Sequence, residues 1–289
     1  MILVAGATGM VGGMIVDGLL ARGERVRALV RSANSAEIFQ ARGVDTALGD
    51  LKDPPSLDRA CAGIEVVITT ANSASRGGSD NPESVEEQGN RNLIDAARAA
   101  GVRQFVFVSA LGSDLNSPVP LLRGKAIAEQ YLRESGLVYT ILMPNLYMEI
   151  WCPNVVGRAA LAGQPVTLIG EGRRKHSMIS AADVAAFSVA VAGNERAYNR
   201  VLVLGGPQAV TWHDVIAAHE RVQGGQIEVR YLAPGGVLPG FPDFVSGFMN
   251  LLETYDSVIP MESLAQEFVV RQVTVDECIE RQLEAAATA

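Results

Sequence analysis

Three glycines at a fixed interval are the first residues in this chain arranged for chemistry. Gly6-Ala7-Thr8-Gly9-Met10-Val11-Gly12 follows the apolar run Ile2–Ala5 and leads into a helical pattern. Glycines in such a loop permit positive φ and let backbone amides approach a diphosphate, whose charge the start of a helix favours. Gly12 also allows tight helix–strand contact. A strand before, a helix after and strand–helix–strand repetition beyond distinguish the motif from an ordinary tight turn. Gly6, Thr8, Gly9, Met10, Val11 and Gly12 are therefore candidate dinucleotide-binding residues. The end of the second strand selects the nucleotide. A carboxylate there would take a ribose 2′-hydroxyl, but the chain reads Arg27-Ala28-Leu29-Val30-Arg31-Ser32. Arg31 can fork onto a 2′-phosphate with Ser32 as a second donor, or stand as a solvated surface arginine. The missing acid favours NADP(H) over NAD(H).

The elements that must position these residues follow from hydrophobic patterning. Ile2–Ala5, Arg25–Val30, Val44–Ala47, Ile64–Thr70, Gln104–Ser109 and Val138–Leu142 are short, mostly continuous apolar runs, as expected of strands covered on both faces. Helical patterns alternate with them near 10–22, 34–42, 54–62, 82–100 and 121–135. This alternation predicts an α/β fold, a Rossmann-type doubly wound parallel sheet with right-handed crossovers. In the stretch 82–100, Asn81 is a cap, Pro82 suits the first turn and Gly101 the left-handed stop. Glu83, Glu86 and Glu87 fall at its positive end. Gly89 implies close approach of that helix to the sheet, and Asn92 is read as a structural hydrogen bonder. Past 145 the rhythm changes, with strands at Val166–Ile169, Val201–Leu204 and Ile227–Tyr231 and helices near 181–191, 211–222 and 274–284. The stretch 233–243, dense in Gly and Pro, reads as irregular loop. The expected organisation is a nucleotide-binding domain, 1–145, and a smaller C-terminal α/β lobe, 146–289, packed on it and not folding independently.

Composition narrows the function classes. With 289 residues, 48% of them hydrophobic and 19% charged, the chain can form a full hydrophobic core without staples. A net charge of −8 and no basic block argue against nucleic-acid binding. The three cysteines, Cys61, Cys152 and Cys278, lack metal or disulfide spacing, and His213 and His219, six apart, fall on different helix faces. No metal site is expected. The first sixteen residues are uncharged, yet they lack a positive n-region and are broken by glycines, so they do not read as a signal peptide. No run of eighteen apolar residues predicts a membrane span. A cytoplasmic protein with a small-molecule substrate, monomeric or homodimeric, is expected.

Together, GATGMVG at 6–12, LVR at 29–31, GDL at 49–51, AARAAGVRQFVFVSA at 96–110, KAIAEQYLRESGLVYTILMPN at 125–145 and ISAADVA at 179–185 resemble the NmrA-like, atypical branch of the short-chain dehydrogenase/reductase family. The resemblance covers roughly the first two-thirds of the chain. It implies that Asp50 and Leu51 flank an adenine, although Asp50 can alternatively cap the following helix. It implies that Thr70, Ala71 and Asn72 pass the ribose and diphosphate, that Ser109 faces the nicotinamide ribose, and that Pro144 and Asn145 bracket the nicotinamide.

The better-known branch of the family uses Ser, Tyr and Lys, with Tyr four residues before Lys. Counting back from Lys125 reaches Leu121, so the phenol that would protonate a carbonyl oxygen is missing. The resemblance leaves Ser109 and Lys125 as candidate catalytic residues. Lys125 acts either as general base or proton donor, with burial lowering its pKa, or as an inert ribose ligand, and Glu129 can pair with it. Met143 stands where the family often has arginine. Without the tyrosine, a hydride acceptor must delocalise its own charge, which points to quinones, enones and conjugated dyes. Tyr147, Ile150, Trp151, Phe241, Phe244 and Phe248 are candidate pocket lining or core. The expected function is NADPH-dependent reduction of a small conjugated apolar molecule. The alternatives are a non-catalytic NADP(H) redox sensor and, third, a sugar-nucleotide epimerase or dehydratase.

Overall fold

Strand β1 (Ile2–Ala5) is four apolar residues with no exposed face, and that burial sets the architecture around it. The structure, a computed structural model, describes residues 1–74 and 76–288, with side chains to residue 285. After β1 come α1 (Met10–Ala21), β2 (Val26–Val30), α2 (Ala33–Gln40), β3 (Asp45–Leu48), α3 (Pro54–Cys61) and β4 (Val66–Thr69). A π-helical turn at Glu83–Glu87 runs into α4 (Gln88–Ala99), then β5 (Gln104–Val108), α5 (Pro120–Glu134) and β6 (Val138–Pro144). The second half contains α6 (Met148–Cys152), α7 (Arg158–Leu161), β7 (Val166–Ile169), α8 (Ala181–Val191), β8 (Arg200–Leu204), α9 (Trp212–Gln223), β9 (Val229–Leu232), α10 (Asp243–Leu252), α11 (Glu262–Phe268) and α12 (Val275–Thr288).

The main sheet has the strand order β3-β2-β1-β4-β5-β6-β8. Every recorded pairing from β3 through β6 is parallel, with Ile2 opposite Val26 on one side and Val66 on the other. This is the doubly wound fold expected. The order reverses between β1 and β4, so the chain leaves those two neighbouring strands in opposite directions and opens a crevice at their carboxyl ends. Leu3, Leu57, Leu93, Phe105 and Ile141 are fully buried in one core cluster on this sheet. Each such side chain contributes about 1.5–3 kcal/mol through burial.

By internal contacts the chain forms two units. The first is Met1–Pro144 with Val184–Val203 and Phe268–Val270; the second is Asn145–Asp183, Leu204–Glu267 and Arg271–Ala289. The linear division at 145 thus acquires two returns, because most of α8 and β8 go with the nucleotide-binding unit. The second unit has its own core around Trp212, Leu168, Met249 and Ile279, and a two-stranded parallel sheet, β7 with β9.

Two local expectations change. The segment before α4 is a π turn rather than regular helix, and it buries Glu86 completely. The Asn90 amide explains the wide turn, donating back to Val85 O at 3.1 Å and Glu86 O at 3.0 Å. The close approach at Gly89 is to Leu51, whose Cβ would lie 2.9 Å from a side chain there, and not to the sheet. Asn92 does hold structure, donating to Leu51 O at 2.8 Å, and Gly101 has the left-handed φ of 70°. Among the described residues no helix is long and apolar enough to cross a membrane, and no group of three or more His, Cys, Asp or Glu is placed to hold a metal.

Candidate cofactor site

The glycine loop joins β1 to α1 at the switch point. Gly6 has φ +85°, and a Cβ on it would lie 2.6 Å from Thr70 Oγ1 and 3.0 Å from Ala71 N. A Cβ on Gly12 would lie 2.1 Å from Gly6 O. Both positions therefore demand glycine. The loop closes with Gly9 N donating to Gly6 O at 2.9 Å and Gly13 N to Gly9 O at 2.8 Å. Gly9 is the N-cap of α1; no described side chain caps that end, and its first turn contains no acidic residue. The first-turn amides of Met10, Val11 and Gly12, which have no described side-chain cap, and the positive end of a twelve-residue helix thus suit an anion. An uncapped helix start behind a glycine cradle fits a dinucleotide diphosphate.

A pocket opens beside this loop, entirely within the first unit. Its apolar lining includes Leu29, Val30, Leu51, Ala71 and Val85, a surface suited to an adenine ring. Its polar lining includes Arg31, Asp50, Arg76 and Asp80, with Gly6 and Thr8 at the loop. Six of the residues singled out from sequence, Gly6, Thr8, Arg31, Asp50, Leu51 and Ala71, thus meet in one cavity. Asp50 does not cap α3, whose N-cap is Asp53. Its Oδ1 accepts from Lys52 N at 2.9 Å, and its Oδ2 lies 3.7 Å from Lys52 Nζ.

Several predicted residues already have partners. Arg31 Nη1 donates to Asp80 Oδ2 at 2.6 Å, so it is not a lone solvated arginine. The Ser32 hydroxyl accepts from Ser35 N at 3.2 Å as the cap of α2. Thr70 Oγ1 sits 3.5 Å from Ala5 O and Gly6 O, pressing the end of β4 on the glycine loop. Asn72 closes its own turn, donating to Thr70 O and accepting from Ala74 N. Pro144 O accepts from Leu111 N at 2.9 Å. Asn145, in the second unit, donates its amide to Ser177 O at 3.1 Å and Ser257 Oγ at 3.0 Å.

At the carboxyl end of β5 the ionisable groups are buried. Lys125 is 5% exposed; its Nζ donates to Val108 O at 3.0 Å and lies 5.2 Å from the centre of the Phe107 ring. Burial pushes its pKa down, opposed by the negative charges of Glu86 and Glu129. The expected Lys125–Glu129 pairing is not formed as a contact. Glu129 accepts instead from Ser109 Oγ on one oxygen and from Arg133 Nη2, at 3.2 Å, on the other. The reason is helical geometry: Arg133, one turn on, supplies a cation from solvent, whereas Lys125 is drawn inward to a strand carbonyl. Burial raises the Glu129 pKa, with the Ser109 hydrogen bond and Arg133 pulling it back. Ser109 Oγ is also 3.2 Å from Ser113 Oγ. Glu86 accepts from Ser73 N at 2.7 Å, and its second oxygen has no hydrogen-bond partner among the described residues.

Lys52, Arg76, Asp80, Glu86 and Glu129 are the residues that sequence reading missed or misplaced. Lys52, two residues past Asp50, was the one with a usable signal, since a cation beside a nucleotide-binding loop is chemically suggestive. In the second unit, Trp151 stacks on Phe248 with ring centres 4.7 Å apart. Phe244 is 74% exposed, so it faces solvent rather than forming an apolar wall.

Comparisons with known proteins bear on the family and the fold. A family model described as NAD(P)H-binding matches residues 6–195. The chain is 34% identical over 236 residues to the NAD(P)H azoreductase of Xenophilus azovorans, covering 81% of this chain and 77% of that one. It is 34% identical over 233 residues to the photosystem II assembly factor Ycf39 of Cyanophora paradoxa, covering 79% and 70%. The fold superposes on the NADPH complex of an Escherichia coli NADPH-dependent quinone oxidoreductase with a TM-score of 0.80 at 24% identity, covering 98% of this chain and all of that one.

Proposed function

The chain belongs to the NAD(P)H-binding family and is an NAD(P)H-dependent oxidoreductase, and from that premise we propose that it uses NADPH to reduce a small, conjugated, largely apolar acceptor such as a quinone, an enone or an azo dye. The carrying observation is the uncapped start of α1 behind Gly6, Gly9 and Gly12, opening beside a pocket that Arg31 lines. Helix and glycine amides hold the diphosphate, Leu51 contacts the adenine, and Arg31 reads the 2′-phosphate. When bound, the reduced nicotinamide supplies hydride.

The chain's own acid–base equipment is sparse, which is why the acceptor class is restricted. Leu121 stands where a tyrosine would donate. Lys125 Nζ is turned to Val108 O, and Ser109 Oγ is bonded to Glu129. In this reading Lys125 and Ser109 fix the end of β5 rather than supply the proton, and an acceptor whose product anion is delocalised takes its proton from water. The supporting relatives are one named for azo reduction and one for quinone reduction. The test is NADPH consumption at 340 nm across quinones, enones and azo dyes. Turnover of at least one class supports the reading; inactivity on all three, with tight NADPH binding intact, refutes it.

A second reading is favoured by one arrangement, the burial and internal hydrogen bond of Lys125 together with Leu121. A chain so equipped can bind NADP(H) as a redox-responsive regulator without turnover, and one relative is named as an assembly factor. Clearly different affinities for NADP+ and NADPH, with no NADPH oxidation, distinguish it.

A further inference from the structure

The nucleotide pocket holds more charge than recognition by one arginine requires. Asp80 lies in the loop before the π turn, and its side chain exposes only 7% of its surface. Its Oδ2 accepts from Arg31 Nη1 at 2.6 Å and lies 3.7 Å from Arg76 Nη1, while its Oδ1 accepts from Lys52 Nζ. Three cations from three separate segments, the end of β2, the loop after β3 and the loop after β4, therefore converge on one carboxylate. Local bonds hold that carboxylate at the rim. Ser84 Oγ donates to Ser79 O at 2.9 Å and Ser84 N to Asn81 Oδ1 at 2.9 Å, fixing the residues on either side. Hydrogen bonds from Lys52 and Arg31 keep the Asp80 carboxyl below the usual carboxylate range, so it is an anion at neutral pH.

This arrangement is what a phosphate monoester would find if its place were already taken by a side chain. Three cations gathered at one rim repel one another unless an anion sits among them, and Asp80 is that anion. With Asp50 also present, the rim keeps one net positive charge, which a doubly charged 2′-phosphate exceeds. We propose that Asp80 is an internal stand-in for the 2′-phosphate: it holds Arg31, Lys52 and Arg76 together in the free protein and competes with the phosphate for them, so it sets the ratio of NADPH to NADH affinity. The proposal rests on the NADPH reading of Arg31. Lys52 and Arg76 become phosphate ligands alongside Arg31, and NADH, which has no 2′-phosphate, binds without displacing Asp80.

The test is calorimetric measurement of Kd for NADPH and NADH on the full chain and three variants. Asp80→Asn keeps the shape and removes the competing charge, so NADPH affinity rises about tenfold while NADH changes less than about twofold. Lys52→Gln, on the exposed side of the pair, lowers NADPH affinity severalfold and leaves NADH alone. An unchanged NADPH:NADH ratio in either variant, or a shift toward NADH in Asp80→Asn, overturns the proposal. Arg31→Ala separates the two layers. A ratio unaffected by that change refutes the NADPH reading itself, whereas a collapsed ratio beside an unaltered Asp80→Asn ratio refutes only the role of Asp80.

Discussion

Gly12 and Gly13 are neighbours in the first turn of α1, and the packing around them predicts opposite responses to the same substitution. A Cβ on Gly12 would meet Gly6 O at 2.1 Å and Gly6 C at 2.6 Å, both backbone atoms that cannot rotate away. An ordinary carbon–oxygen contact is about 3.3–3.6 Å, so the loop and the helix must separate by about 1 Å. Overpacking of that kind costs about 1–3 kcal/mol. The displaced loop also breaks the alignment between Gly9 N and Gly6 O and moves the amides proposed to hold the diphosphate. For Gly12→Ala we expect a stability loss of about 2 kcal/mol, near the middle of that range. NADPH affinity falls tenfold or more, which corresponds to about 1.4 kcal/mol. A Cβ on Gly13 meets only Ala7 O, at 3.5 Å, which is ordinary contact. There the helical preference of alanine over glycine adds about 0.5–1 kcal/mol of stability, with NADPH binding unchanged. Urea unfolding with the slope checked for constancy measures the first quantity, and calorimetric titration with NADPH the second. If Gly12→Ala binds NADPH as the parent does, or if Gly13→Ala weakens binding as much as Gly12→Ala, the placement of the diphosphate at this helix start is wrong.

Three further outcomes are expected. Val269 is a β-branched residue at φ 54° and 90% exposed. Val269→Gly relieves about 1–2 kcal/mol of left-handed strain against about 0.5–1 kcal/mol of added chain entropy, so urea unfolding should show a net gain of at most about 1.5 kcal/mol. Asp183, buried and accepting from Val273 N on both oxygens, has its pKa raised to about 7 by burial. Because the folded value lies above the unfolded one near 4, the native state holds the extra proton between pH 4 and 7, and this group's stabilisation is lost as pH rises through that window. Asp183→Asn should flatten that slope and be the more stable protein at pH 8, by a few kcal/mol at most; an unchanged pH profile refutes the assignment. Lys125→Met leaves Val108 O unsatisfied and should cost about 1–3 kcal/mol in urea unfolding. Its kcat should stay within about tenfold of the parent, which single-turnover NADPH oxidation checks, while a loss near the upper range for general acid catalysis, about 10⁴-fold, would make the lysine the proton donor instead.

How far the site was legible in the sequence depends on how far apart its partners lie along the chain. Gly6, Gly9 and Gly12 could be read because the constraint is local: strand, turn and helix are consecutive, and each glycine answers a backbone contact within that span or directly across at Thr70. Most strands of the first half could be read because burial on both faces leaves continuous apolar runs such as Ile2–Ala5 and 105–108. Asp80 and Glu86 were not legible. The two hydrogen-bond donors of Asp80 lie 49 residues away at Arg31 and 28 away at Lys52, and although Arg76 is only four residues off, a Gly- and Ser-rich loop has no periodicity to announce a fixed carboxylate. Glu86 reads as an acid at the positive end of a helix, and only the π turn, set by Asn90, rotates it inward. The short helices α6 and α7 escaped for a related reason, since segments of five and four residues are too brief for a helical period to show.

The two ends of the first unit's site differ in kind, and the difference bears on the reaction. At the glycine loop the start of α1 carries no side-chain cap, and at the rim Arg31, Lys52 and Arg76 gather on Asp80, so this end of the site is built to take up anionic charge. At the end of β5 the groups able to move protons are turned toward one another: Lys125 to Val108 O, and Ser109 to Glu129, itself paired with Arg133. Burial makes each charged form there harder to hold, lowering the Lys125 pKa and raising that of Glu129. Drawing a proton from this cluster would mean breaking a buried hydrogen bond, at about 1–3 kcal/mol for each group left unsatisfied. A carbonyl acceptor, which needs its proton as hydride arrives, is poorly served by such a site. A quinone or an extended dye is not penalised in this way, because its charge spreads over the conjugated system and its protonation can wait for water. On the proposed reading, the chain catalyses by positioning nucleotide and acceptor, and the choice of reaction then falls to the electronic structure of the acceptor.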